Sequence, residues 1–196
     1  MSRKLIRVAG VALVLLGGVL GGSRLAGAGD DAGAKGGVEA KATFARLKTL
    51  VGTWTTQLGD ADANEAAKKK EHQEEHGAQA TVTYRLTGAG SALVETQFPG
   101  SGHEMVSIYH LDGDDLRMTH YCAAGNQPRV KLDRAHSQPD HLIFIFDGGS
   151  NLDPKKDMHI HGLQITFRKD GQITSAWEGY QDGKSAGITS FNMTKH

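Results

Sequence analysis

Two short motifs in this chain each place a pair of metal-ligating side chains on what would be one strand. His120 and Cys122 stand two apart, and His159 and His161 repeat that spacing further on. Residues i and i+2 of a β-strand point to one face. Each pair would therefore show both side chains to the same side of a sheet, the first beside Leu116 and Met118. If both pairs turn inward at one end of a fold, three imidazole nitrogens and one thiolate sulfur meet there. That donor set suits zinc or copper. The same side chains could instead form a hydrogen-bonded cluster lining a cavity, or one pair could face solvent. The spacing matches no recognised zinc pattern, so these alternatives stay open.

The other candidates are weaker. His72 and His76 are four apart, a metal-binding spacing on a helix, but they sit in the charge run Lys68-Lys69-Lys70-Glu71-His72-Gln73-Glu74-Glu75-His76. Such runs read as solvated surface. Glu104 and Glu178 could act as acids, and Ser107 or Ser175 as nucleophiles, but none stands in a recognised catalytic motif. No P-loop or dinucleotide fingerprint is present. Asp112-Gly113-Asp114-Asp115 lacks the later glutamate of a calcium loop and reads as a hairpin turn. No catalytic residue is assigned, and a binding protein is favoured over an enzyme.

These side chains are expected to stand on short strands. A helix is expected from about Ala42 to Leu50, where Phe44, Leu47, Leu50 and Val51 make one apolar stripe. Gly52-Thr53-Trp54 then opens a strand, and a hydrophilic insertion fills 59–79. From Ala80 onward, strands are expected near 80–87, 91–98, 103–111, 115–122, 129–134, 141–147, 157–168, 172–181 and 184–194. Turn chemistry separates them: Gly88-Ala89-Gly90, Asp112-Gly113, Gly125-Asn126-Gln127-Pro128, Gly148-Gly149, Asp170-Gly171 and Asp182-Gly183. With no helices between the strands, a parallel sheet is disfavoured. The expected fold is all-β: an antiparallel up-and-down barrel of about ten strands with a short N-terminal helix. Closure leaves no exposed edges.

The last hairpins can be registered in advance. A three-residue Lys169-Asp170-Gly171 loop sets Phe167 against Ile173 and Leu163 against Trp177. A two-residue Asp182-Gly183 turn then sets Ile188 against Trp177. One face would collect Leu163, Ile165, Phe167, Ile173, Trp177 and Ile188, dotted with Ser175, Ser190 and Asn192, and ending at His159 and His161. An apolar face with scattered polar groups suits a ligand cavity better than a dry core. The ligand-binding candidates are therefore His120, His159, His161, Leu163, Trp177, Ser175 and Ser190. The metal candidates are His120, Cys122, His159 and His161, with zinc as a possible ion.

The N-terminal segment carries a different message. Ser2-Arg3-Lys4-Leu5-Ile6-Arg7 is basic, Val8 to Leu20 is apolar, and Ala26-Gly27-Ala28 has small residues at a cleavage spacing. These are the three parts of a secretory signal, and the apolar run is shorter than a membrane span. The expected organisation is a signal peptide over 1–28, a flexible linker over 29–40 and a barrel domain over 41–196. The product would be periplasmic or secreted, with no membrane span after cleavage. Removing 1–28 takes away Arg3, Lys4, Arg7 and Arg24 and no acidic residue, leaving 18 basic against 22 acidic side chains and a net charge of −4. That balance argues against a nucleic-acid partner. The single cysteine excludes an intramolecular disulfide, so the fold must stand on its core.

Helix, then Leu50-Val51-Gly52-Thr53-Trp54, then an antiparallel meander resembles the lipocalin-like, or calycin, barrels. The resemblance implies that Trp54 closes the barrel base and packs on a late cation, for which Lys195 is the match. The stretch Met105 to Pro128 (MVSIYHLDGDDLRMTHYCAAGNQP), with Met158-His159-Ile160-His161, is similar to a family of exported bacterial lipocalin-like domains. That likeness implies the fold and no established activity. Haem barrels of the nitrobindin type share the ten-strand architecture, but their fuller glycine-rich opening is absent after Trp54.

Overall fold

The computed structural model describes residues 38–57 and 79–196. The expected signal peptide over 1–28, residues 29–37 of the expected linker and residues 59–78 of the expected hydrophilic insertion, with His72 and His76, lie outside the described residues; at their described ends, Ala40 already belongs to a helix and Gln79 to a strand.

Helix α1 spans Ala40–Lys48 and buries Ala40, Thr43, Phe44 and Leu47. Leu50 is buried just beyond it, while Val51, the end of the expected stripe, is exposed. The strands follow as β1 Gly52–Gln57, β2 Gln79–Thr87, β3 Ala92–Gln97, β4 Met105–Asp112 and β5 Asp115–Tyr121. The rest are β6 Gln127–Leu132, β7 His141–Ser150, β8 His159–Phe167, β9 Ile173–Gln181 and β10 Lys184–Lys195. Each pairs antiparallel with its sequence neighbour, and β1 also pairs with β10. Among the described residues the result is a closed ten-stranded barrel with one short α-helix, as the strand periodicity and turn chemistry predict.

Alternation decides what fills it. Leu93, Tyr109, Leu116, Met118, Leu142, Phe144, Leu163 and Ile165 are buried inside, where they form one core with Phe44 and Leu47 of α1. Burying a leucine or phenylalanine side chain contributes about 1.5–3 kcal/mol, so this interior supplies the cohesion that a chain without a disulfide needs.

Trp54 anchors the base. Its Nε1–H donates to the Leu50 carbonyl at 2.7 Å. Trp54 lies opposite Lys195 in the β1–β10 register. The Lys195 ammonium stands 5.6 Å from the indole centroid, within cation–π range, and donates to the Thr49 carbonyl at 3.3 Å. Gly52 has φ +134°, and a Cβ on it would fall 2.9 Å from Lys195 Cε. The Gly-x-Trp pattern thus has a local cause: the glycine makes room for the cation that covers the tryptophan.

The registered hairpins hold near their turns. Arg168 N–H donates to the Gln172 carbonyl at 2.9 Å around the Lys169–Gly171 loop. Phe167 faces Ile173 and Leu163 faces Trp177. Asp182 and Gly183 both have positive φ, as a two-residue type I′ turn requires. Two bulges then overturn the rest of the expected face. Between Ser185 and Gly187 the β9–β10 register shifts, so Thr189, not Ile188, lies opposite Trp177. Ile188 and Ser190 therefore lie on the outer face, with Ile188 54% exposed. A second shift lies between Ile160 and Gly162, with His161 as the extra residue. Ile160 comes opposite Gly179, on the inner face, and His159 comes opposite Tyr180, on the other face. A one-residue slip exchanges the two faces of a strand.

Candidate functional site

A cavity of about 210 Å³ lies where β3 and β5 end and β4 and β8 begin. Its apolar wall includes Phe98, Met105, Ile160, Trp177 and Phe191, and its polar lining is Gln97, His120, Cys122 and Thr189. Among the described residues, no lysine, arginine, aspartate or glutamate lines it.

Consecutive strands carry a buried polar row that ends at His120. Tyr84, Glu95, Ser107 and His120 are successive cross-strand neighbours from β2 to β5, and all four are buried. Ser107 Oγ and His120 Nδ1 are 2.9 Å apart. The His120 ring centroid stands 5.2 Å from that of Trp177. Burial pulls the imidazole down to a pKa of about 4, so it is neutral at pH 7. Trp177 Nε1–H donates to Ser175 Oγ at 3.2 Å, deeper in the barrel.

Glu95 is the hub within this row. Tyr109 donates its hydroxyl to Oε2 at 2.6 Å, and Gln97 Nε2–H donates to Oε1 at 2.9 Å. Tyr84 is also hydrogen-bonded to the carboxyl group. Burial raises the Glu95 pKa, opposed by these three hydrogen bonds. Burial, then the nearby Glu95 charge, pushes both tyrosine hydroxyls well above their ordinary range.

His159 and His161 form a separate pair. The Asp157 carbonyl can only accept, so His159 Nδ1–H donates to it, at 2.8 Å. His159 Nε2 then accepts from His161 Nδ1–H at 3.1 Å. The His161 ring is stacked between Phe146, with centroids 4.5 Å apart, and Tyr180, at 3.7 Å. Burial, and next the neighbouring His159, lowers the His161 pKa, with Glu178 opposing. His161 and Glu178 also border a hollow of about 370 Å³ with Ile145, Gln164, Ala176 and Ile188. Glu178 and Ile188 are cross-strand partners on the outer face, so this hollow lies outside the barrel.

The predicted site residues therefore separate. His120, Cys122 and Trp177 line the inner cavity. Leu163 and Ser175 are buried core, Ser190 is exposed, and His159 and His161 belong to the aromatic stack. The expected four-ligand set of His120, Cys122, His159 and His161 is not assembled. Among the described residues no group of three or more His, Cys, Asp or Glu side chains could hold a metal ion. The bulge at His161 is the physical reason, since it moves His159 off the face of Leu163.

Sequence reasoning missed Tyr84, Glu95, Gln97 and Tyr109. A signal was present: Leu93, Glu95 and Gln97 alternate along β3, so an apolar inner face at Leu93 carries both polar residues inward. No model of a known protein family and no curated protein matches this chain.

Proposed function

We propose that this protein is an exported, lipocalin-like barrel that binds a small, partly apolar ligand inside its cavity. One observation carries the reading: two buried polar residues, His120 and Gln97, border a cavity whose remaining wall is largely apolar. Ligand sites have this composition, with an apolar wall for affinity and a few polar atoms for orientation. The closed barrel is compatible with interior binding, and the Trp54–Lys195 base supports the lipocalin-like kinship. The test is ¹H–¹³C NMR of the histidine rings during titration of the 29–196 chain with toluene, indole and benzyl alcohol. Saturable shifts at His120, matched at the Trp177 indole, are expected. No saturable response to any of the three overturns the reading.

A metal centre is the second reading, favoured by a different grouping from the one the sequence suggests. His120 and Cys122 share the cavity with Met105 and Met158. Thioether, thiolate and imidazole together suit a soft ion such as monovalent copper. In that case Nδ1–H donates to Ser107 and Nε2 is the ligand, the usual outer-shell arrangement. Elemental analysis of protein purified without a histidine tag tests this: stoichiometric metal, lost in Cys122→Ser, supports it, and its absence overturns it.

A further inference from the structure

Two atoms at the cavity call for a partner. His120 is 2% exposed and Gln97 3% exposed. Among the described residues, the side-chain hydrogen bond of each is the one already given, at His120 Nδ1 and at Gln97 Nε2. His120 Nε2 and Gln97 Oε1 are left without one, and neither is among the atoms sealed off without a partner. Both side chains line the cavity, so whatever occupies it meets these atoms.

Their polarity follows from the groups behind them. Ser107 is fully buried, and its hydroxyl meets His120 Nδ1. A buried hydroxyl hydrogen left without an acceptor is costly. Ser107 avoids that cost by donating to Nδ1, which places the ring proton on Nε2 and presents an N–H donor to the cavity. Gln97 is oriented the opposite way. Its amide N–H is directed to Glu95, so its carbonyl oxygen is the acceptor that remains.

We infer that the cavity selects an uncharged ligand carrying both a hydrogen-bond acceptor, for His120 Nε2–H, and a donor, for Gln97 Oε1, as a carboxamide or lactam does. The inference rests on the ligand-binding reading and adds the chemical class. A carboxylate has acceptors only and would meet the Gln97 oxygen, with the Glu95 carboxyl behind it and, among the described residues, no cationic side chain on the wall. An ammonium has donors only and would meet the His120 N–H.

Three near-isosteric probes and one apolar control test this at pH 7.5: benzamide, benzoate, benzylamine and toluene, titrated by NMR against the 29–196 chain. Benzamide should bind at least ~10-fold more tightly than either charged probe and than toluene, the scale of one or two well-made hydrogen bonds. Gln97→Leu and His120→Phe should each bring benzamide down to the level of toluene. Toluene binding and an unchanged far-UV circular dichroism spectrum show that each variant keeps its cavity. Long-range ¹⁵N–¹H NMR should find His120 protonated at Nε2. Benzoate or benzylamine binding as tightly as benzamide, or a proton on Nδ1, overturns the inference while leaving the ligand reading intact. Failure of all four probes, toluene included, overturns the ligand reading and this inference with it.

Discussion

Replacing His120 by glutamine should flatten the acid side of this protein's stability curve. In the folded barrel the ring titrates at about 4 instead of the ordinary 6.5, because burial opposes its charged form. Between those values the unfolded chain binds a proton that the folded chain refuses. The stability that neutral His120 contributes is therefore complete above pH 6.5 and is lost as pH falls towards 4. The gap is worth about 1.4 kcal/mol per pH unit, hence about 3 kcal/mol in all. The ring is almost fully buried, so solvent screening removes little of this. Glu95 acts in the opposite sense: its raised pKa gives stability at low pH that fades as pH rises. That contribution is common to both proteins and cancels in the comparison, as does that of His161. Urea unfolding of the wild type and His120→Gln, followed by tryptophan fluorescence at several pH values from 7.5 to 4, measures the difference. The wild type should lose about 3 kcal/mol more than the variant across this range. Curves that run parallel within the extrapolation error of the method would refute the neutral, buried imidazole.

Gly52→Ala should destabilise the barrel by roughly 1–3 kcal/mol, because it combines a left-handed φ with a clash against Lys195; an unchanged denaturation midpoint would count against the base described above. Ile188→Thr should alter stability by no more than about 0.5 kcal/mol, since the side chain is on the outer face. Phe191→Ala, on the inner face of the same strand, should cost about 3 kcal/mol or more, and reversed magnitudes would mean the bulge at Ser185–Gly187 is misplaced. The intact mass of the secreted product should correspond to a start near Gly29, a few residues either way, and retention of Met1 to Ala28 in an integral membrane fraction would contradict export.

The strand inventory was legible in the chain itself. Gly171 after Asp170, and the Asp182-Gly183 pair, supply the positive φ that their hairpins require, and turn chemistry is local. The same holds for the apolar alternation through Leu116 and Met118 and for Phe44 and Leu47 on the helix, because periodicity is written along the chain. Trp54 and Lys195 lie 141 positions apart, and only the family resemblance linked them. The faces of β8 and β10 were a different matter. A single extra residue at His161, and another between Ser185 and Gly187, reverses which side chains enter the barrel, and neither bulge leaves a mark in a two-residue period. The hub at Glu95 depends on β2, β3 and β4 lying side by side, so that Tyr84, Tyr109 and Gln97 reach one carboxyl group. Local residue preferences decided where the chain turns and which segments are strands. Closure of the sheet, with its bulges, decided which polar atoms face the cavity, because that depends on distant strands meeting in one register.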